Sequence, residues 1–431
     1  MVRITGKIIM SLLITMSVFL TQCNPKDNDS ENRLTPDEDN GGIKLPGGFK
    51  ALVVADDIGR GRHIDVNDNG DIYMALRRLE NGKGIAALRD TTGDGRADIV
   101  RYFGEYPGTG MEIYNGYLYF GGDTMVLRYK LSPGQLVPDN EPEIVVSGFP
   151  DQNQHRDKPF AIDNAGNIYV NVGAPSNACM EQTRTMGSPG MYPCPQLERQ
   201  AGIWKFSVDR LNQTQVDDGY RYASGIRNSI ALTWSDVTDN LYVVMHGRDQ
   251  LSQFYPDLYT EEQNAELPAE EFLLVKEGSV FSWPYYYYDQ IKGKMVLAPE
   301  YGGDGDKTEG PVEVEDPVMG FPGHLAPNDI MFYDGMQFPE RYRNGAFICF
   351  HGSWNRAPLE QEGFFVAFVP FSGELPSGEW EIFADDFAGK EVVNSPSQAD
   401  HRPMGIAMGT DGSIYVCDSQ KGKIWRIIYE D

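Results

Sequence analysis

One short pattern recurs six times along this chain: an apolar run, a tight Asn/Asp/Gly turn, then a run of aromatic and β-branched residues. It reads HIDVNDNGDIYMA at 63–75, GMEIYNGYLYFG at 110–121 and PFAIDNAGNIYVNVG at 159–173. It returns as NSIALTWSDVTDNLYVVMHG at 228–247, NDIMFYDGMQFPERYRNGAFICFHG at 328–352 and PMGIAMGTDGSIYVCD at 403–418. Alternation around a turn of this chemistry is a β-hairpin. Further strands follow several copies: IAALRD, ADIVRYFGE, TMVLRYKLS, EIVVSGF and AGIWKFSVD. Four strands per unit, repeated and spread by insertions, specify an all-β fold, a six-bladed β-propeller. Two separate β-sandwiches would leave the repeat unexplained.

The closure of the ring is also readable. After the last hairpin only KIWRIIY remains, one strand short of a blade. FKALVVADD at 49–57 precedes the first hairpin with no partner of its own, so it is expected to supply the outer strand of the last blade.

Ahead of that strand the chain changes character. Arg3 and Lys7 precede an apolar run from Ile8 to Leu20, which has the charge and length of a secretory signal. The run ends Leu20-Thr21-Gln22-Cys23, similar to a bacterial lipobox with Gln22 where a small residue is usual. The alternative is a plain signal peptide with Cys23 incidental. Residues 24–44 carry almost nothing apolar and read as a solvated tether. The expected division is a signal peptide at 1–22, a lipid-anchored tether at 23–47 and the propeller at 48–431, in a protein exported to the periplasm or cell surface and touching membrane through its anchor alone. Export implies an oxidising compartment. Cys179 and Cys194 flank a Gly/Pro-rich loop and are the expected bridge, while Cys349 and Cys417 sit in apolar runs as buried thiols. With 63 acidic against 37 basic side chains, a formal charge of −26 and no basic stretch, nucleic acid is excluded as a partner.

Strand direction locates a functional face. The start of each first strand and the end of each second strand lie on one side of a propeller. His63, His155, His324 and His401 fall just before first strands, and His246 and His351 at the ends of second strands, so all six histidines map to that side. Arg62, Arg227, Asn228 and Arg402 join them from first-strand starts, and Arg248, Asp249, Asn355, Arg356 and Asp418 from second-strand ends. The insertions 174–202, 248–270 and 353–363 rise over the same side. Imidazole can act as a base near neutrality and arginine binds carboxylates bidentately. The expected ligand is small, anionic and rich in carboxylates.

From residue 48 onward the chain resembles the soluble quinoprotein sugar dehydrogenases, the branch named for sorbosone dehydrogenase. The resemblance is carried by GIRNSIAL at 225–232, HGRDQL at 246–251, SVFSWPYYYYD at 279–289, APNDIMFYDGMQFPERYRNGAFICFHGSWNR at 326–356 and RPMGIAMGTDGSIYVCDSQKGKIWRIIY at 402–429. It implies a six-bladed propeller binding pyrroloquinoline quinone and calcium, and oxidation of an aldose or related sugar with hydride transfer to the quinone. His155 matches the family's catalytic base, although His-Arg-Asp-Lys-Pro-Phe departs from the glycine-rich family pattern there. Arg227 and Asn228 match the pair that contacts the quinone oxygens, which gives Arg227 a catalytic as well as a binding role. The carbonyls of Gly247 and Arg248, with Asp249 beside them, match the calcium stretch. Arg402, and more weakly Arg356, match cofactor-carboxylate arginines.

Outside the resemblance, Asp90, Asp94 and Asp98 have the spacing of a structural calcium loop, and equally of an ordinary Gly/Asp turn on the opposite face. No Cys-x-x-Cys-His haem site is present, so electrons must leave to a separate cytochrome or quinone. Two other readings stay open: a calcium-dependent lactonase, and a non-catalytic propeller that binds glycan or protein.

Overall fold

The computed structural model describes residues 1–2 and 34–430; the signal segment, Cys23 and the first part of the tether lie outside the described residues. From Leu34 onward the chain forms one compact unit. Six sheets, each built on four antiparallel strands, follow one another at 61–103, 108–147, 160–224, 229–321, 327–384 and 403–429, and the second gains a short parallel fifth strand, Gln213–Thr214. They are blades 1 to 6. Each runs first to fourth strand from the axis outward, and the fourth strand of blade 6 is the N-terminal Phe49–Ala55, paired antiparallel with Ile424–Tyr429. The ring closes as the leftover strand requires.

The hairpins form because their turns can only be tight. In blade 2, Tyr114 pairs with Tyr117 across Asn115 and Gly116, both at positive φ (48° and 75°), the geometry that Asn-Gly tolerates and other residues resist. The register repeats between blades: Tyr73, Tyr119, Tyr169 and Tyr415 oppose Asp65, Glu112, Ala161 and Ala407. The core lies between blades. Where blades 5 and 6 meet, Phe49, Phe338, Tyr342, Phe347 and Phe383 form one buried aromatic cluster.

First strands face the axis and leave ladder amides without a neighbouring strand, a cost that sheet edges must manage. Carboxylates from the preceding blade meet it. Asp65 accepts from the Ile113 N–H (2.6 Å), Glu112 from Ile162 (3.0 Å) and Asp329 from Ile406 (2.9 Å). Burial raises all three carboxyls, Asp65 to about 6 and the other two well above the usual range. They line a cavity of about 250 Å³ in the axial channel, together with His63. His63 therefore sits inside its strand Gly61–Val66 and on the channel wall, deeper than expected from its place in the sequence.

The tether reading ends where the structure begins to use those residues. Asp37 caps the Val53 N–H (2.7 Å) and pairs with Arg96 (2.8 Å), Asn40 caps the Ala51 N–H (3.0 Å), and Ile43 is buried in the core. Polar residues here complete a strand edge instead of facing solvent, so the packed domain starts near residue 37, not 48. The Cys179–Cys194 disulfide is present and Cys349 and Cys417 are buried and free. The Asp90 loop closes on its own amides: Asp90 accepts from Thr92, Gly93 and Gly95, Asp98 from Thr91 and Thr92, and Asp94 from Arg96. Its carboxylates are engaged as an ordinary turn engages them. Among the described residues no helix is long and apolar enough to cross a membrane.

Phe49 is buried and makes edge contacts with Phe338, Tyr342, Phe383 and Tyr429. Phe49→Ala is expected to destabilise the ring by about 3–5 kcal/mol, measured by urea denaturation. A loss under about 1 kcal/mol would show that the closing strand is not held by this cluster.

Candidate functional site

A cavity of about 310 Å³ opens at the top of the axis, within the range of roughly 300–1,000 Å³ seen for small-molecule sites. Its walls come from three blades. Blade 3 gives His155 and, from its insertion, Arg184; blade 4 gives Arg227, His246, Asp249 and Glu270; blade 5 gives Trp354 and Asn355, with His324 ahead of its first strand.

Asp249 ties these parts together. Its Oδ2 accepts from Arg184 (2.8 Å) and Arg227 (2.9 Å), and its Oδ1 from Asn355 Nδ2 (2.7 Å). The arginines hold its carboxyl far below the ordinary carboxylate range despite full burial. Asn177 completes the floor. Its side-chain oxygen accepts from the Asp249 N–H (2.8 Å) and from Arg227 Nη2 (3.0 Å), and its backbone oxygen accepts from Arg227 Nε (3.2 Å) and Trp283 Nε1 (2.9 Å).

The cavity histidines are neutral. Burial, with the Arg227 charge next in weight, lowers His155 to about 3. Burial likewise lowers His246 to about 4 and lowers His324. One ring nitrogen of each meets a backbone carbonyl: His155 Nδ1 with Ala174 O (2.7 Å), His246 Nε2 with Pro327 O (2.7 Å), His324 Nε2 with Asn264 O (2.9 Å). A carbonyl only accepts, so that nitrogen carries the proton and the other is a bare base. In His155 the bare nitrogen is Nε2. The residue holds a left-handed backbone (φ 50°), clamped by Gln152 Nε2 donating to His155 O and Gly173 O, both at 3.0 Å. A Cβ on Gly173 would stand 2.6 Å from His155 Cβ and 2.7 Å from Asn228 Oδ1, so glycine there makes room for the pair. Asn228 Oδ1 is buried without a hydrogen-bond partner. Burial also raises Glu270 to about 8, its oxygens accepting from the Gly247 and Ala326 amides. At neutral pH two guanidiniums therefore face one carboxylate, and the lining carries a net positive charge.

The structure separates the other expected residues. Arg402 donates to the His351 and Gly352 carbonyls, outside the cavity wall. Arg356 points away, donating to Ala265 O (2.8 Å) and pairing with Glu266 and Glu362. Arg248 forms a buried pair with Glu300 (2.6 Å). The Gly247 oxygen accepts from Arg227 Nη1 (3.0 Å), and Asp249 is fully engaged. The expected calcium stretch thus faces a guanidinium, and among the described residues no group of three His, Cys, Asp or Glu is placed to hold a metal. The Gly247 carbonyl can offer a cation only the lone pair that Arg227 leaves free. Of the remaining histidines, His351 meets Ser419 Oγ (2.6 Å) and His401 meets Asp418 (3.2 Å). Sequence reasoning passed over Asn177, Arg184 and Glu270. The one available signal was Glu270, which with Glu271 opens an otherwise apolar strand, EEFLLV.

The family description TrAA12-like matches residues 43–430, and the chain belongs to that family. Its architecture is that of a quinoprotein sugar dehydrogenase propeller. The holo pyranose dehydrogenase PQQ domain from Coprinopsis cinerea superposes with a TM-score of 0.70 at 17% identity, over 90% of this chain and 97% of that one. The calcium structure of the Trichoderma reesei family AA12 enzyme gives 0.70 at 16%, over 93% and 100%. The PQQ-bound aldose sugar dehydrogenase from Streptomyces coelicolor gives 0.55 at 14%, over 90% and 100%. Among curated proteins, an uncharacterized protein from Borreliella burgdorferi is 26% identical over 48% of each chain. The Coprinopsis cinerea pyrroloquinoline quinone-dependent pyranose dehydrogenase is 24% identical over 56% of this chain and 37% of its own. The chain spans less than half the length of these curated relatives.

Asp249→Asn would leave Arg184 and Arg227 uncompensated, and a loss of about 3–5 kcal/mol is expected in chemical denaturation. The lowered carboxyl gives stability that is present above about pH 4 and lost as pH falls further. Unchanged stability in the variant would show that the two guanidiniums do not need this partner.

Proposed function

We propose that this chain is an exported quinoprotein dehydrogenase that oxidises a sugar hydroxyl, or a sugar aldehyde as its hydrate, with pyrroloquinoline quinone as cofactor. The observation that carries the reading is His155: a neutral imidazole with its bare nitrogen beside a cavity of net positive charge. A tricarboxylate suits that charge, and the unpartnered Asn228 side chain next to His155 is a polar group left for a ligand.

Bound pyrroloquinoline quinone supplies the acceptor for a hydride from the substrate carbon. The protein's part is the proton. His155 takes it from the substrate hydroxyl at Nε2, while Nδ1–H stays on the Ala174 carbonyl and fixes the ring. Arg227 presents its guanidinium at the cavity wall, where it would stabilise negative charge on a bound quinone. Arg227, and Arg184 from the blade 3 insertion, line the cavity and would hold the cofactor, with Asn228 set behind the wall next to His155. The apolar leader and the disulfide support export, with anchoring through a lipid on Cys23. A separate cytochrome or quinone would accept the electrons.

The test is reconstitution of the purified protein with the cofactor and sugar-dependent dye reduction. Failure to bind the cofactor would overturn the reading. His155→Gln is expected to keep cofactor affinity and to lose about 10²–10⁴-fold in rate. Because burial lowers His155 to about 3, the base is unprotonated throughout the neutral range, and kcat/KM is expected to stay flat on the acid side down to about pH 5. An acid limb near pH 6.5 would place an unperturbed imidazole in the base's role.

A further inference from the structure

The loop that carries His155 has no ladder to hold it. Among the described residues, no backbone N–H or carbonyl of residues 150–158 bonds to other backbone. The downstream half is tied by its own side chains: Asp157 Oδ1 accepts from Thr109 Oγ1 (2.7 Å), and the buried Lys158 donates to the Arg156 carbonyl. In the upstream half, which holds the base, the main chain is tied by Gln152.

The Gln152 amide has two protons and meets three carbonyl oxygens: Gln154 O (2.7 Å), His155 O (3.0 Å) and Gly173 O (3.0 Å). Carbonyls only accept, so Nε2 is the atom that faces them, and Oε1 accepts from Gln200 Nε2 (2.8 Å). Gln200 closes the blade 3 insertion, just ahead of the strand Gly202–Ser207. Two of the three carbonyls flank the base's own hydrogen bond. His155 O lies on the residue itself, and Gly173 O is one peptide away from Ala174 O, which accepts from Nδ1 (2.7 Å). One amide thus sets the distance between the imidazole's main chain and the carbonyl that chooses its tautomer. It does so against a backbone preference, since His155 is left-handed (φ 50°), a conformation that residues with a Cβ resist.

We infer that Gln152 is the positioning residue for the base: it keeps the Nδ1–H of His155 on Ala174 and so keeps Nε2 bare. Without it the loop relaxes, the ring leaves Ala174, and the Nε2–H tautomer, whose Nε2 cannot take a proton, becomes populated. The inference rests on the dehydrogenase reading above and adds to it a residue outside the cavity lining.

Two measurements on the full-length protein test it. Ring ¹⁵N NMR of the histidine-labelled, cofactor-free protein reads the tautomer, the His155 signals being assigned by their loss in His155→Gln. Wild type is expected to show His155 as Nδ1–H alone at neutral pH. Gln152→Met, which keeps the side chain's length and has no donor, is expected to show a mixture with Nε2–H. In the cofactor-loaded protein, with D-glucose, D-galactose and D-xylose as probes, the same variant is expected to lower kcat about 10²-fold for the sugar that wild type oxidises fastest, with KM and cofactor affinity kept within about twofold. Gln200→Met, which leaves the donors in place and frees Oε1, is expected to fall between the two in both readouts, and it carries the test if Gln152→Met does not fold. Wild type that oxidises a sugar while the variant keeps the wild-type tautomer or the wild-type kcat overturns the role of Gln152 and leaves the dehydrogenase reading standing. Loaded wild type that oxidises none of the sugars overturns both.

Discussion

One buried carboxylate organises the upper face of this propeller. Asp249 receives a guanidinium from the blade 3 insertion, another from just before the first strand of blade 4, and an amide from the blade 5 insertion. An isolated carboxylate at that depth would be strongly disfavoured, and two clustered arginines there would be as well. Together they are tolerable, and neither Arg184 nor Arg227 can swing away without leaving a charge unpaired. The cavity is thereby framed by residues whose positions are set electrostatically, on loops that would otherwise be the least constrained parts of the fold.

The blades themselves use the same chemistry for a different purpose. Around the axis, Asp65, Glu112 and Asp329 cap first-strand amides of the next blade; at the outer edge of blade 6, Asp37 and Asn40 cap the closing strand. Short acidic and amide side chains stand in for missing neighbouring strands at both edges of the sheets. Some of the acidic residues are thus structural acceptors for backbone N–H groups.

That dual use also decides what could be read from the residues alone. The blade count was legible because turn chemistry such as Asn115-Gly116 is local and repeats, and the ring closure because a strand was left over. His155, Arg227 and Asp249 could be brought to one face by strand direction, and the structure gathers them around one cavity. Residues 37–47 could not be read correctly, since a polar stretch that caps an edge has the composition of one that faces water. Nor could the fate of Arg356, which occupies a plausible position yet is drawn into carbonyls and the Glu266 and Glu362 carboxylates. Glu300 was hidden for a topological reason. It belongs to a third-to-fourth connection, expected on the far face, but the segment climbs alongside blade 3 through the Ser224–Val280 bridge and delivers Glu300 to Arg248.

The electrostatics of the site then follow from where protons are withheld. The chain as a whole carries −26, yet the cavity is locally positive because its imidazoles and Glu270 are held neutral by burial while its two arginines cannot be. Such a charge is felt at short range: at physiological ionic strength screening sets in over about 8 Å, so the acidic exterior and the basic floor act on a ligand at different stages of its approach. An anionic ligand gains from the floor only after it has entered and shed water. A neutral molecule is indifferent to both fields.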